Sequence, residues 1–503
     1  MEIYEILKKE IEKLKTKPQW QEIGEVFEIK DGIVKAVGLE GVENFELVEF
    51  ERTKIKGVAI SLEEDFIGIL VLGDYSKIRE GDIVKREKKL LSFPVGESLI
   101  GRIVDPLGEP LDGKGEIKTK NKREIFKIGP GIIEREPIRT PLHTGIKIID
   151  ALLPIGRGQR ELFLGDPETN KVDFALSIIL NQKNEPKRPY CIYVAIGKRE
   201  NEILRISKFL EKKGALEYTT IICASASLPI SFWYLAPFSG CTLGEYFMFE
   251  GKDVLIIYDN LSQHAFSWRE IALILRRPPS REAFPGDIFY LHSQLLERSA
   301  KLSEKMGGGS LTAIPILDTK QGDITGYIPT NLISICDGQI FFDIDLLEKG
   351  RIPEINLGLS VSRVGSSAQT EAMRQIAKTL KIEIAQYEEL EKFTQFIEEI
   401  DVKTKEKLIQ GRKILEILSQ DKTQIFPFEK EFVILYSATK GFLKNIPLEK
   451  IKKFEKELLN FIEIYNPEIF QSIREKGKID KSLTEKLDEI IFQIKSKYEN
   501  RGD

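Results

Sequence analysis

Between residues 93 and 370, short apolar runs alternate with stretches of helical periodicity. This alternation restricts the chain to one broad architecture. The runs are RELFLG, PYCIYVAIG, TTIICASA, DVLIIYDN, SLTAIPIL and LISICDGQIFF. Each has strand length and is apolar at successive rather than alternate positions, as a strand covered on both faces requires. Helix-like stretches separate most of them, which predicts an α/β domain with a mostly parallel sheet. Ligands in such sheets sit beyond the carboxyl ends of the strands. The residues that follow each run are therefore the candidates for chemistry.

The flanks differ in character. GEVFEIKDGIVKAV alternates apolar and polar residues about Asp31-Gly32, a hairpin turn pair. FIGILVLGDY and GDIVKR add strand-length runs, and residues 22–92 together predict a small β-barrel. Within residues 1–21, Ile3, Ile6, Leu7, Ile11 and Leu14 fall near helical spacing and predict an amphipathic helix that Pro18 ends. From 371 to 503 apolar residues recur every three or four positions, which predicts a helical domain. The expected fold is multidomain: an N-terminal β-barrel, a central α/β domain over 93–370 and a C-terminal α-helical domain.

Composition excludes several classes. No apolar run approaches the roughly 18 residues of a transmembrane helix. The 75 basic and 79 acidic residues leave a net charge of −4, which gives no global field for nucleic acid. Cys191, Cys223, Cys241 and Cys336 form no CxxC pair and the 3 histidines lack ligand spacing. Neither a disulfide framework nor a zinc site is expected.

One junction carries a phosphate-loop pattern. After RELFLG come Gly165, Asp166, Pro167, Glu168, Thr169, Asn170, Lys171 and Val172, then the helix-like DFALSIILN. Strand, loop and helix in that order present backbone N–H groups and a helix N-terminus to an anion. The full pattern is GxxxxGK[ST]; here Asn170 replaces the second glycine and Val172 the hydroxyl residue. Asn tolerates left-handed backbone, so Asn170 is expected to keep the loop's shape. Val172 cannot ligate Mg²⁺. Pro167 offers no N–H, and Glu168 and Asp173 bring negative charge near the phosphates. The loop is expected to hold Mg-nucleotide weakly. Asp259, at the end of DVLIIYDN, sits where a Walker B acid orders Mg²⁺.

Longer strings carry a resemblance. They are LPIGRGQREL (153–162), YVAIG (193–197), LAPFSGCTLGEYF (235–247), LRRPPSREAFPGDIFYLHSQLLERSAKLSE (275–304), GGGSLTAIPILDT (307–319), IPTNLISICDGQIFF (328–342) and GLSVSRVGSSAQT (358–370). Together, from residue 22 almost to the end, they closely resemble the alpha-subunit family of F-type ATP synthases. The resemblance implies a barrel crown, a RecA-like nucleotide domain and a helical C-terminal domain. It implies a ring in which alpha alternates with catalytic beta subunits around a gamma central stalk. Delta and b form the peripheral stalk, with delta docked by the N-terminal helix. The complex would lie on the cytoplasmic face of the cell membrane, with this chain attached only through it, and would couple ATP synthesis to proton or sodium transport.

The resemblance also implies roles for residues. Where beta places a catalytic glutamate after YVAIG, and alpha a glutamine, this chain has Lys198. A cationic side chain cannot be that base, so the chain reads as a non-hydrolytic, alpha-type subunit. Arg363 matches the family's arginine finger, which acts in trans. Ser360, Ser334 and Phe289 match positions lining the same catalytic interface. Lys171, Thr169 and Asp259 match the subunit's own ATP/ADP site, with Asp259 holding Mg²⁺ indirectly. Asp318 replaces a glutamate, and Ser280 replaces a glycine. Arg351 is displaced by one position, and Gln420 and Gln424 are the adenine-side candidates. Two other readings are an alpha-like paralogue in a specialised rotary or gliding machine, and a stand-alone RecA-like NTPase.

Overall fold

The computed structural model describes residues 22–394, 401–478 and 480–498. The expected helix over 1–21 lies outside the described residues. By contacts the chain divides into two units. One comprises the residues up to Ser92 together with Pro229–Phe232 and Glu270–Pro278; the other holds the remainder.

The first unit is a closed six-stranded barrel. Its strands are β1 (Ile23–Lys30), β2 (Ile33–Gly38), β3 (Glu46–Phe50), β4 (Lys56–Leu62), β5 (Ile67–Val71) and β6 (Ile83–Leu90), ordered β1-β2-β5-β4-β3-β6. The β1–β2 turn is Asp31-Gly32, with φ of 47° and 82°. Positive φ at both central residues matches the right-handed twist of a hairpin, which is why Asp-Gly serves here. Val26, Val34, Val48, Phe50, Ile69 and Val84 fill the interior.

The second unit contains an eight-stranded sheet. Beyond β7 (Ser92–Pro94) and its partner β9 (Lys122–Glu124), the strands are β8 (Ile103–Val104), β10 (Glu161–Gly165), β11 (Tyr190–Lys198), β12 (Thr219–Ser225), β13 (Asp253–Asp259), β14 (Ser310–Asp318), β15 (Gly338–Phe342) and β16 (Val361–Ser362). Their order is β16-β15-β10-β14-β13-β11-β12-β8. All pairs are parallel except β15–β16. β10, β12 and β13 are buried almost throughout, as their continuous apolar runs require.

One expectation fails in detail. LISICDGQIFF is not a single strand: its first four residues close the helix Tyr327–Ile335, and only Gly338–Phe342 joins the sheet. Ile328, Leu332 and Ile335, at helical spacing, are the buried residues of that helix. The helical period begins upstream of the run and captures its first half.

After the sheet the chain is helical, through Glu371–Thr394, Val402–Leu418, Phe428–Thr439, Ile451–Tyr465, Pro467–Lys476 and Lys481–Lys495. These share one apolar core with the sheet helices. A buried ion pair crosses it: Lys147 Nζ lies 2.8 Å from Glu455 Oε1. Burial pulls the Lys147 ammonium down to about 8, against the pull of Glu455. Among the described residues, no helix is long and apolar enough to cross a membrane.

Candidate nucleotide site and interface arginine

Strand order concentrates the chemistry. Adjacent strands β10, β14, β13 and β11 end in Gly165, Asp318, Asp259 and Lys198. All four therefore emerge on one carboxyl edge, with Gly165 directly paired to Asp318. From Gly165 the chain turns through the loop into the helix Lys171–Asn181.

The strand, loop and helix follow in the expected order, but the loop does not use the left-handed conformation anticipated at Asn170. Asn170 has φ −81° and ψ 16°, and no residue from 165 to 172 has positive φ. The left-handed tolerance that favoured Asn over other residues is not used. Asn170 is instead tied by its polar groups. Its N–H donates to Glu354 Oε1 at 2.6 Å, its Nδ2 donates to Glu354 Oε2 at 3.3 Å, and its Oδ1 accepts from Lys422 Nζ at 3.2 Å. Glu354 is fully buried. Its carboxylate therefore sits at a helix N-terminus, the place that favours an anion.

The remaining loop groups are also partnered. Lys171 is 1% exposed. Its Nζ donates to the Asp166 carbonyl at 2.6 Å and pairs with Asp318 Oδ1 at 3.0 Å. Thr169 donates its hydroxyl to the same carbonyl at 2.7 Å. The Asp166 carboxylate accepts from the Thr319 hydroxyl and the Gly322 N–H, which fixes the segment after β14. Pro167 and Glu168 are exposed. Val172 packs against the apolar core. Asp173 binds Lys422 Nζ at 2.6 Å.

Asp259 is fully buried. The Tyr193 hydroxyl donates to its Oδ2, while the Lys198 ammonium lies 3.0 Å from Oδ1 as an ion pair. Burial, reinforced by Asp259, pushes the Tyr193 phenol well above its usual range, so it stays a donor. Asp318 Oδ2 accepts from Asn260 Nδ2 at 2.5 Å.

Mg²⁺ asks for about six oxygen ligands in near-octahedral geometry at 2.0–2.1 Å. This donor set does not fit it. Position 172 offers only carbon, Asp318 is held by Lys171 at Oδ1 and by Asn260 at Oδ2, and Asp259 accepts from Tyr193 at Oδ2 while its buried Oδ1 faces the Lys198 ammonium at 3.0 Å without forming a hydrogen bond. The adenine-side candidates diverge too. Gln420 is buried, and its amide is spent on the protein: Oε1 accepts from Lys147 N, and Nε2 donates to the Gly145 and Gln424 carbonyls. Gln424 is exposed.

A second group of residues forms a different surface. Arg363 follows β16 and is exposed. Its Nη1 donates to Cys336 O and its Nη2 to Ile333 O, each at 3.2 Å. These carbonyls lie at and just beyond the C-terminus of the helix Tyr327–Ile335, where carbonyls favour a cation. Among the described residues no carboxylate forms an ion pair with Arg363. Nearby Glu161 is buried, and burial raises its carboxyl well above the usual range, although the charge of Arg363 pulls it back. Ser334, on the same helix, is exposed. Phe289 is 44% exposed on the helix Ile288–Leu296, which packs on Tyr327–Ile335. Ser360 is buried: its hydroxyl accepts from Phe341 N and donates to Asn356 O, so it anchors the approach to Arg363.

Sequence reasoning did not single out Glu354, Tyr193, Asn260 or Lys422. Lys422 lies between the two adenine-side candidates, Gln420 and Gln424, but a lysine in that stretch reads as solvated. Glu354 carried none: a carboxylate in PEINLG reads as surface until its burial is seen.

Comparison with known proteins gives consistent matches along the chain. Residues 20–88 match the model for the ATP synthase alpha/beta family, beta-barrel domain. Residues 145–362 match the ATP synthase alpha/beta family, nucleotide-binding domain, and residues 369–494 the ATP synthase alpha/beta chain, C terminal domain. The chain is 50% identical over 497 residues to ATP synthase subunit alpha of Aquifex aeolicus (strain VF5), covering 99% of this chain and 98% of that protein.

Proposed function

The chain belongs to the ATP synthase alpha/beta family, and on that premise we propose that it is the non-hydrolytic alpha subunit of an ATP synthase head, lending Arg363 to ATP held by a neighbouring beta subunit. Its place is in the alternating ring around gamma, with delta and b as the peripheral stalk and with membrane attachment only through the complex.

The observation that carries this reading is the contrast between two sets of charges. Around the chain's own loop three lysines are each matched by a carboxylate: Lys171 by Asp318, Lys198 by Asp259 and Lys422 by Asp173. Arg363 is matched only by carbonyls and faces outward. Phosphoryl transfer spreads negative charge over the γ-phosphoryl oxygens, and a guanidinium brought to them from a neighbour stabilises that charge. Giving up two carbonyl hydrogen bonds strands no partner carboxylate, so Arg363 is ready to exchange them for phosphate oxygens. Ser360 holds the segment that carries it, and Ser334 and Phe289 belong to the contact surface. At its own loop the chain holds nucleotide weakly, because Val172 supplies no hydroxyl and Glu354 already occupies an N–H.

Replacing Arg363 tests the reading. In the assembled head, Arg363→Ala lowers turnover by about 10³-fold or more and leaves subunit stoichiometry unchanged in native mass spectrometry. Arg363→Lys keeps the charge but loses the planar fork, and recovers only part of the rate. Turnover near wild type for Arg363→Ala refutes the assignment.

A further inference from the structure

We propose that the Lys198 ammonium takes the place of the divalent metal at the chain's own nucleotide site, so that nucleotide affinity there does not depend on Mg²⁺. This rests on the reading of residues 165–172 as the nucleotide loop.

A nucleotide loop ordinarily ligates its metal through a hydroxyl after the lysine and orders it through the acid that ends the neighbouring strand. The first group is absent here, since Val172 turns its methyl groups to the apolar core. The second is present but engaged, because Asp259 is clamped between the Tyr193 hydroxyl and the Lys198 ammonium. A metal seated on Asp259 would displace Lys198 and leave it only Glu202, 3.9 Å away and 45% exposed. Its positive charge would then lie beside the cation that displaced it. Lys198 ends β11, one strand from Asp259, and its side chain is only 16% exposed. It is therefore a partly buried cation paired with Asp259 and not a solvated surface lysine. It adds one positive charge beside the carboxylate that would order a metal, over and above the Lys171 ammonium that the motif itself supplies.

Calorimetry on the full-length chain tests this, with ATP titrated once in excess Mg²⁺ and once in EDTA. Wild type is expected to show the same affinity in both, within about twofold. Lys198→Gln combined with Val172→Thr frees Asp259 and restores the hydroxyl, and this variant gains a Mg²⁺ dependence of about tenfold or more. Lys198→Arg keeps the cation and stays indifferent to Mg²⁺. That variant decides the question together with wild type if the double variant does not fold. A wild-type affinity that tightens about tenfold with Mg²⁺ overturns the proposal and leaves the loop assignment standing. A double variant that binds ATP but ignores Mg²⁺ also overturns it. If neither protein binds ATP under either condition, the loop is not a nucleotide site and both readings fall.

Discussion

At position 198 a single residue type decides between two chemistries. A carboxylate at the end of β11 could accept a proton from an attacking water molecule; an ammonium cannot, and here it pairs with Asp259 instead. The sequence showed the lysine and its incompatibility with base catalysis. It did not show the partner, because Asp259 becomes a neighbour only when β13 pairs with β11. Buried histidines supply a second residue-scale test. His292 is fully buried, burial lowers its imidazole to about 4, and both ring nitrogens lack partners among the described residues. The folded state therefore holds it neutral, while the unfolded chain takes up a proton below about 6.5. Its contribution to stability is present above that pH and is lost as pH falls from about 6.5 to about 4, by at most about 3 kcal/mol. Relative to wild type, His292→Leu gains stability across that window in urea denaturation. A difference between the two proteins that does not change with pH contradicts this.

The loop between β10 and its helix shows how far pattern matching reaches at the scale of an element. Spacing identified the strand, the turn and the lysine. It misjudged the backbone, because a motif states which residue types are allowed and not which φ is adopted. Asn170 sits at φ −81° since Glu354 and Lys422 hold its polar groups. Both partners come from segments remote in sequence. Asn170→Gly therefore removes side-chain contacts without relieving strain and adds backbone entropy to the unfolded chain. It destabilises the chain by about 1 kcal/mol in denaturant titration. A stabilised variant would mean the loop wants the left-handed form after all. The same limit explains LISICDGQIFF, whose apolar run could not reveal that a helix beginning at Tyr327 claims its first half.

Over the whole molecule, the order of barrel, sheet and helices was legible because each has its own hydrophobic period. The charged ties across the second unit were not legible, because they join residues hundreds of positions apart. Lys147 and Glu455 are an example: each alone reads as a surface charge on an amphipathic helix, yet together they are buried. Lys147→Met leaves Glu455 buried beside only a partial substitute, Lys452 at 3.5 Å, and costs about 3 kcal/mol or more in chemical denaturation. Lys147→Met with Glu455→Leu recovers most of that loss. If the single and double variants are equally unstable, the pair does not act as a unit.

The central claim is that this subunit serves catalysis through an arginine lent outward and not through its own loop. The most direct measurement compares steady-state ATP turnover of heads assembled with Arg363→Ala and with Lys171→Ala. The account predicts that the first loses about 10³-fold or more, whereas the second stays within about threefold of wild type because the loop takes no part in the chemistry. A head that tolerates loss of Arg363 but fails without Lys171 would contradict it.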